Sequence, residues 1–333
     1  VVRSGQLVVD ARYDHDYQAI SRDTRSYIGC GYGCTDPSWN HQYNYLHPDW
    51  HPYFQGRDVH TLQSVTKSVS ATLVGIAIER GSIAGVDTLM LPYLAEYDLS
   101  AVDDDLHKAT LQDLLTMRSG IEWHELDRPI DDTNTTGQLE NSADWVQFTL
   151  DQPMDAEPGA KWVYNSGGSQ LMAAIMQSAT DVRMDRFAEE YLFDPLGIDE
   201  YHWKLTPAGL PDALGGLYLE ARDLARIGYL YLRDGVWNGS RILPEGWALE
   251  ATARHVEDPG YGYQWWRPDH AGEIVWAGHG FGGQALLVLP EWDVVAVINS
   301  WNLFGIEGED LKSAVVSAIV AEPARKMTNR SSP

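Results

Sequence analysis

The sequence predicts an α+β protein, with an antiparallel sheet built from both chain ends, flanked by helices, and a mainly helical lobe inserted between those ends. Three observations predict it. Short β-rich runs open the chain, a pair of apolar strand-length runs lies near its end, and the stretches with helical pattern fall between them.

Val1-Val2-Arg3, a Ser4-Gly5 turn and Gln6-Leu7-Val8-Val9 read as a hairpin. Residues 13–53 carry Gly, Pro, Asp, Asn, His and aromatics without period, which predicts a long loop inserted over a site. Ser64 to Arg80 is apolar on most faces after its first turn and stops before Gly81, the pattern of a helix buried in the interior. Thr110-Leu-Gln-Asp113 has the form of a capping box opening a short helix through Met117. A Gly167-Gly168 turn precedes a helix over Ser169 to Ala179, and helical pattern continues over Met184 to Phe193 and Leu224 to Leu232. Ala285 to Leu289, a Pro-Glu-Trp-Asp turn and Val294 to Ile298 form a second hairpin, followed by a helix from about Asp310 to Ala321. Residues 1–60 and 210–333 are accordingly assigned to the sheet lobe. Residues 61–209 form the helical lobe, with the Ser64 helix at the junction.

Composition narrows the function. The 333 residues are 44% hydrophobic, enough for a large core. The formal charge of −24 speaks against nucleic acid or an anionic membrane as partner, because phosphate repels such a surface. The same acidic, Lys-poor composition fits a saline medium. No apolar run is long enough to span a bilayer, since Pro290, Glu291 and Asp293 break the longest. Cys30 and Cys34 either close a small disulfide loop in an oxidising compartment or stand as two free thiols. The chain opens at Val1, which fits a leader already removed, so a periplasmic or secreted location is favoured over a cytoplasmic one. His47 and His51 have the spacing of two helical metal ligands, but Pro48 and Pro52 spoil the helix, so no metal site is expected. No cofactor is implied, and the oligomeric state is open.

Three stretches could carry chemistry. Ser64 and Lys67 are three apart at the start of the buried helix and so share a face. A serine hydroxyl needs a base, and an amine one turn away supplies it when burial holds that amine partly neutral. Tyr164, just before Asn165-Ser166-Gly167-Gly168, can present its phenol into a cleft. Cations or donors around that oxygen would make it a usable base. Gly278, Gly280, Gly282 and Gly283 crowd the stretch around His279 and Phe281, as close approach of a ligand to an edge strand requires. Trp123, Trp265, Trp266 and Trp276 are candidates for the cleft wall, although each is more commonly packing.

In this order and at these separations, Ser64-Val-Thr-Lys67, Tyr164-Asn-Ser166 and Gly278-His-Gly280 resemble the three motifs of the β-lactamase and penicillin-binding-protein-like serine hydrolases. Leu114-Leu-Thr-Met-Arg-Ser-Gly-Ile121, Tyr164-Asn-Ser-Gly-Gly-Ser-Gln170, Leu192-Phe-Asp-Pro-Leu-Gly197 and Gly215-Gly-Leu-Tyr-Leu-Glu-Ala-Arg-Asp223 are phrases typical of the class C-like branch. The resemblance thus spans nearly the whole chain outside the 13–53 insert, and implies a β-lactamase/transpeptidase-like fold. It implies that Ser64 attacks a carbonyl and is acylated, and that Lys67 and Tyr164 manage its proton, with the resting base left open between them. The backbone amides of Ser64 and Phe281 would form the oxyanion hole, and a water activated by Tyr164 would release the acyl group. Ser166, Gly278, His279 and Gly280 would contact substrate.

Two departures bear on that substrate. Lactamases of this branch usually carry Asn where Ser166 stands and a cation where Gly278 stands, groups that help hold the antibiotic. The pattern here looks more like the esterase and linear-amide relatives, such as the 6-aminohexanoate-dimer hydrolases. His279 could partly replace the missing cation. The expectation is therefore hydrolysis of a small ester or amide. The alternatives are a β-lactamase or D-amino-acid peptidase, and a binding or sensor module that is acylated without turnover.

Overall fold

The structure is a computed structural model that describes residues 1–13, 52–129, 133–270, 272–300 and 311–321. Most of the 13–53 insert, with Cys30, Cys34, His47 and His51, lies outside the described residues.

The first hairpin pairs β1 (Val2–Arg3) with β2 (Gln6–Leu7). Ser4 and Gly5 both take positive φ, 50° and 75°, the handedness that a two-residue hairpin turn needs to match strand twist. Next come β3 (His60–Thr61) and the central helix α1 (Val65–Glu79), then α2 (Leu111–Leu115) and α3 (Ser166–Thr180). The short strands β4 (Tyr201–Trp203) and β5 (Leu217–Leu219) lead into α4 (Ala221–Leu232). The chain closes with β6 (Trp276–Gly280), β7 (Gln284–Leu289), β8 (Val294–Ile298) and α5 (Leu311–Ala321).

Both ends enter one antiparallel sheet in the order β6-β7-β8-β1-β2, with Val295 of β8 facing Val288 on one side and Val2 on the other. Period-two alternation divides the apolar side chains of β7 between two cores. Leu286 and Val288 join the main core, where Gly228 of α4 lets that helix sit against the sheet; a Cβ there would lie 2.7 Å from Val295 and 2.9 Å from Leu286. Ala285, Leu287 and Leu289 face the other way, into a smaller cluster closed by Val316 and its neighbours on α5. A second small sheet, ordered β3-β5-β4, leads directly into α1.

Helix α1 is buried continuously from Val65 to Ala77, as its all-round apolar pattern requires. Its small polar residues are satisfied in place. Ser68 Oγ donates to the Gln264 carbonyl at 2.7 Å, Ser70 Oγ to the Ala213 carbonyl at 3.0 Å, and Thr72 Oγ1 to the Ser68 carbonyl at 2.7 Å. The capping box of α2 is present, with Thr110 and Asp113 satisfying each other's backbone amides. Helix α3, in contrast, starts three residues earlier than its pattern suggests. Asn165 caps it by accepting from the Gly168 amide at 2.7 Å, which draws the two glycines into the first turn. The smallness of Gly167 serves packing rather than a turn, since a Cβ there would lie 2.4 Å from Trp123 and 2.5 Å from Thr149. The stretch after Met184 is also less regular than its pattern, with a wider π turn over Glu189–Phe193 following Met184–Ala188.

Candidate active site

Ser64 stands where β3 turns into α1. The preceding residue, Gln63, is fully buried with φ of 48°, a left-handed conformation that costs a non-glycine residue about 1–2 kcal/mol. Its side-chain amide donates to Thr61 Oγ1 at 2.9 Å, and the Leu62 amide is tied to the Leu217 carbonyl at 2.9 Å. The reversal therefore sits in a rigid frame that over-determines it. Ser64 occupies the N-cap position but makes no side-chain capping bond. Its hydroxyl instead accepts from Lys67 Nζ at 2.9 Å.

Lys67 is 1% exposed, and Nζ also donates to the Leu214 carbonyl at 2.8 Å. Burial lowers its pKa to about 8, against the pull of Glu125, Asp212 and Glu140, which favour the ammonium. At neutral pH roughly a tenth of the amine is then neutral and able to take a proton. Tyr164 is brought in from the start of α3: Ser64 is among the groups acting on its phenol, and its ring centroid is 5.1 Å from Lys67 Nζ. Burial, with the Glu125 carboxylate nearby, pushes that phenol well above the ordinary tyrosine range. Neither of these influences favours the phenolate form.

The glycine stretch supplies the facing edge. β6 runs antiparallel to β7 with Gly278 opposite Leu286 and Gly280 opposite Gln284. A Cβ on Gly278 would stand 3.0 Å from Val65 and 3.2 Å from Ser68 Oγ; one on Gly280 would stand 2.4 Å from the Leu62 carbonyl. The strand thus lies directly against the residues that carry Ser64, and only glycine allows that approach. After Phe281 the chain turns through Gly282, φ 77°, and Gly283, φ 89°. The Gln284 amide braces the turn, donating to the Phe281 carbonyl at 3.3 Å and accepting from the Ser300 amide at 2.9 Å.

The other expected contacts fall less simply. His279 is half-buried, its ring 6.1 Å from that of Trp266. Ser166 is 1% exposed, and its hydroxyl donates to Glu125 Oε1 at 2.7 Å, so it is committed to that carboxylate. Glu125 also accepts from the Ser166 amide at 3.0 Å and from Trp123 Nε1 at 3.1 Å. Of the four tryptophans, Trp123, Trp265 and Trp276 are buried packing. Trp266 is only part-buried and stacks on Tyr164 with centroids 5.8 Å apart, beside Trp162 and Tyr261.

Sequence reasoning missed the carboxylates near this centre. Glu125 lies in a loop 39 residues before Tyr164, and Asp212 and Glu140 are buried acids that no spacing relates to Lys67. It also missed Gln264, which joins three helices. That residue accepts from Ser169 Oγ at 2.8 Å and from Ser68 through its carbonyl, and donates to the Leu115 carbonyl at 3.0 Å. Among the described residues no group of His, Cys, Asp and Glu could hold a metal ion, and no helix is long and apolar enough to cross a membrane.

Comparison with known proteins agrees with this architecture. A 6-aminohexanoate-dimer hydrolase of Paenarthrobacter ureafaciens is 29% identical over 273 residues, covering 74% of this chain and 68% of that protein. A solved Bacillus anthracis structure assigned as a 6-aminohexanoate-dimer hydrolase superposes with a TM-score of 0.67 at 23% identity, over 79% of this chain and 71% of the other. A D-stereospecific amidohydrolase from a Streptomyces species superposes with a TM-score of 0.59 at 21% identity, over 81% and 88%. The sequence model of the Beta-lactamase family matches residues 1–310, so the sheet built from both termini and the buried serine–lysine helix belong to a member of the Beta-lactamase family of enzymes.

Proposed function

We propose that the chain is a serine hydrolase that cleaves a small ester or linear amide through an acyl-enzyme on Ser64. The observation that carries this reading is one hydroxyl held at 2.9 Å from a buried amine, with the ring of a tyrosine from a separate helix start 5.1 Å from that amine. The lowered Lys67 pKa and the raised Tyr164 pKa divide the proton work between them. Neutral Lys67 removes the Ser64 proton as Oγ attacks the carbonyl carbon. The backbone amides of Ser64 and Phe281 receive the developing oxyanion. Tyr164 passes its proton to the leaving group and regains one from the Lys67 ammonium. Water then enters by the reverse route, its proton moving through Tyr164 to Lys67, and as the acyl–Oγ bond breaks Lys67 returns that proton to Ser64 Oγ.

Two features bear on substrate. The part-buried Trp162 and Trp266 offer an apolar wall beside Tyr164. At Gly278 there is no cation for a β-lactam carboxylate, and even a Cβ would press on Val65 and Ser68. The named activity of the Paenarthrobacter ureafaciens relative supports a linear amide.

Ser64→Ala tests the reading. Hydrolysis of a p-nitrophenyl short-chain ester and of a linear p-nitroanilide is expected to fall by at least about 10³-fold. Turnover persisting in that variant would sink the mechanism. Efficient cleavage of a chromogenic cephalosporin would favour the lactamase alternative. A stable serine-phosphonate adduct on a protein without steady-state turnover would favour the sensor alternative.

A further inference from the structure

Lys67 has a second side, away from Ser64, and what meets it there is a turn between β4 and β5. Asp212 organises that turn. Its carboxylate is wholly buried, and Oδ1 accepts from the amides of Leu214 at 3.2 Å and Gly215 at 2.9 Å. The Leu214 peptide it holds is the one whose carbonyl accepts from Lys67 Nζ at 2.8 Å. Space is reserved for the carboxylate, since a Cβ on Gly216 would lie 2.5 Å from Asp212 Cβ and 2.9 Å from Oδ2. The turn is anchored on both helices of the site. Gln170 of α3 accepts from the Ala213 amide at 2.9 Å and donates to the Pro211 carbonyl at 3.0 Å, and Ser70 of α1 donates to the Ala213 carbonyl.

We propose that Asp212 is a positioning residue for Lys67, holding the Leu214 carbonyl against the amine and setting a fixed negative charge behind it. This rests on Lys67 being the base for Ser64. The groups acting on the Lys67 charge are Glu125 on the Tyr164 side, and Asp212 and Glu140 behind; the Tyr164 ring lies alongside. Asp212 and Glu140 act also on Lys204, a second buried lysine. With Glu125 included, two lysines face three carboxylates, and the set is one charge negative even with both amines protonated. With Lys67 neutral it is two charges negative, so it gains stability when Lys67 takes the proton from Ser64. Asp212 thereby strengthens the base at the moment of attack, as well as aiming it.

Asp212→Asn separates the two roles, because the amide oxygen still accepts from Leu214 and Gly215 while the charge is gone. The expected result is a folded protein whose acid limb in the kcat/KM–pH profile moves to lower pH by about one unit. Its plateau kcat falls about tenfold with KM little changed. Asp212→Ala loses the turn as well, and its kcat falls further. A folded Asp212→Asn protein with the wild-type acid limb and kcat would overturn the proposal and leave Asp212 a structural residue. Should the single variant not fold, Asp212→Glu keeps the charge but moves the carboxylate off the Leu214 and Gly215 amides; its kcat is expected to fall several-fold with the acid limb unmoved, and wild-type kcat in that variant overturns the proposal. Ser64→Ala runs beside these. An inactive Ser64→Ala with an unshifted Asp212→Asn profile overturns only this inference, whereas an active Ser64→Ala overturns the hydrolase reading beneath it.

Discussion

Gly280→Ala probes the contact between β6 and the serine turn. Gly280 has φ −127° and ψ 152°, extended backbone that alanine adopts freely, so the substitution brings no conformational strain. It brings only volume. The added methyl would lie 2.4 Å from the Leu62 carbonyl oxygen, 2.9 Å from Gln284 Cβ and 3.1 Å from Gln63 Cβ. An ordinary contact needs roughly 1 Å more than the shortest of these, so β6 must withdraw from the serine turn by about that distance. Overpacking of this kind costs about 1–3 kcal/mol, and a ~1 Å displacement at a reacting centre costs about 10²-fold in rate. Gly239→Ala is the control: its φ is 83°, nothing lies within 4 Å, and it sits in a remote turn. It costs about 1–2 kcal/mol through backbone strain alone. Thermal melts of both variants, with kcat/KM on a chromogenic ester, should show similar destabilisation but a rate loss only for Gly280→Ala. Wild-type kcat/KM in a folded Gly280→Ala protein, or equal rate losses in both, would refute the reasoning.

Activity should rise with pH towards a plateau above about 8, because the lowered Lys67 pKa makes its neutral form the scarce species below that point; a kcat/KM profile already flat at pH 6 would contradict this. Stability should fall as the medium is acidified from about pH 6.5 to 4. Burial lowers His60 and His202 to about 4, so over that window the unfolded chain binds protons that the native state refuses. Asp223, raised to about 6 by burial, works in the opposite sense and offsets part of the loss. Urea titrations at pH 4.5 and 7 measure the difference, which His60→Gln should reduce. With a formal charge of −24, the melting temperature should climb between about 10 mM and 1 M NaCl as the Debye length shrinks; a flat salt series would argue that self-repulsion is unimportant.

Much of the site was legible because it is local. Ser64 and Lys67 lie one helical turn apart, and a scarce lysine entering an apolar helix is a visible signal. The Gly167-Gly168 pair misled because its reason is non-local: Gly167 makes room for Trp123 and Thr149, and Gly168 lies against Leu114, from segments 18 or more residues away. Ser166 illustrates the same limit. Its place in the motif suggested a ligand contact, but its hydroxyl is taken by Glu125, which no spacing rule connects to it.

Period and capping residues alone determined which stretches become helix or strand, since these depend on side chains three or four positions apart or alternating across a pleat. They also determined that both termini are strand-forming, and that a serine hydroxyl and an amine share one helix face. Tertiary structure decided the proton affinities. Desolvation lowers Lys67 and raises Tyr164, while carboxylates from distant segments pull Lys67 back up and push Tyr164 further, and the field of a buried charge depends on distance in space rather than along the chain.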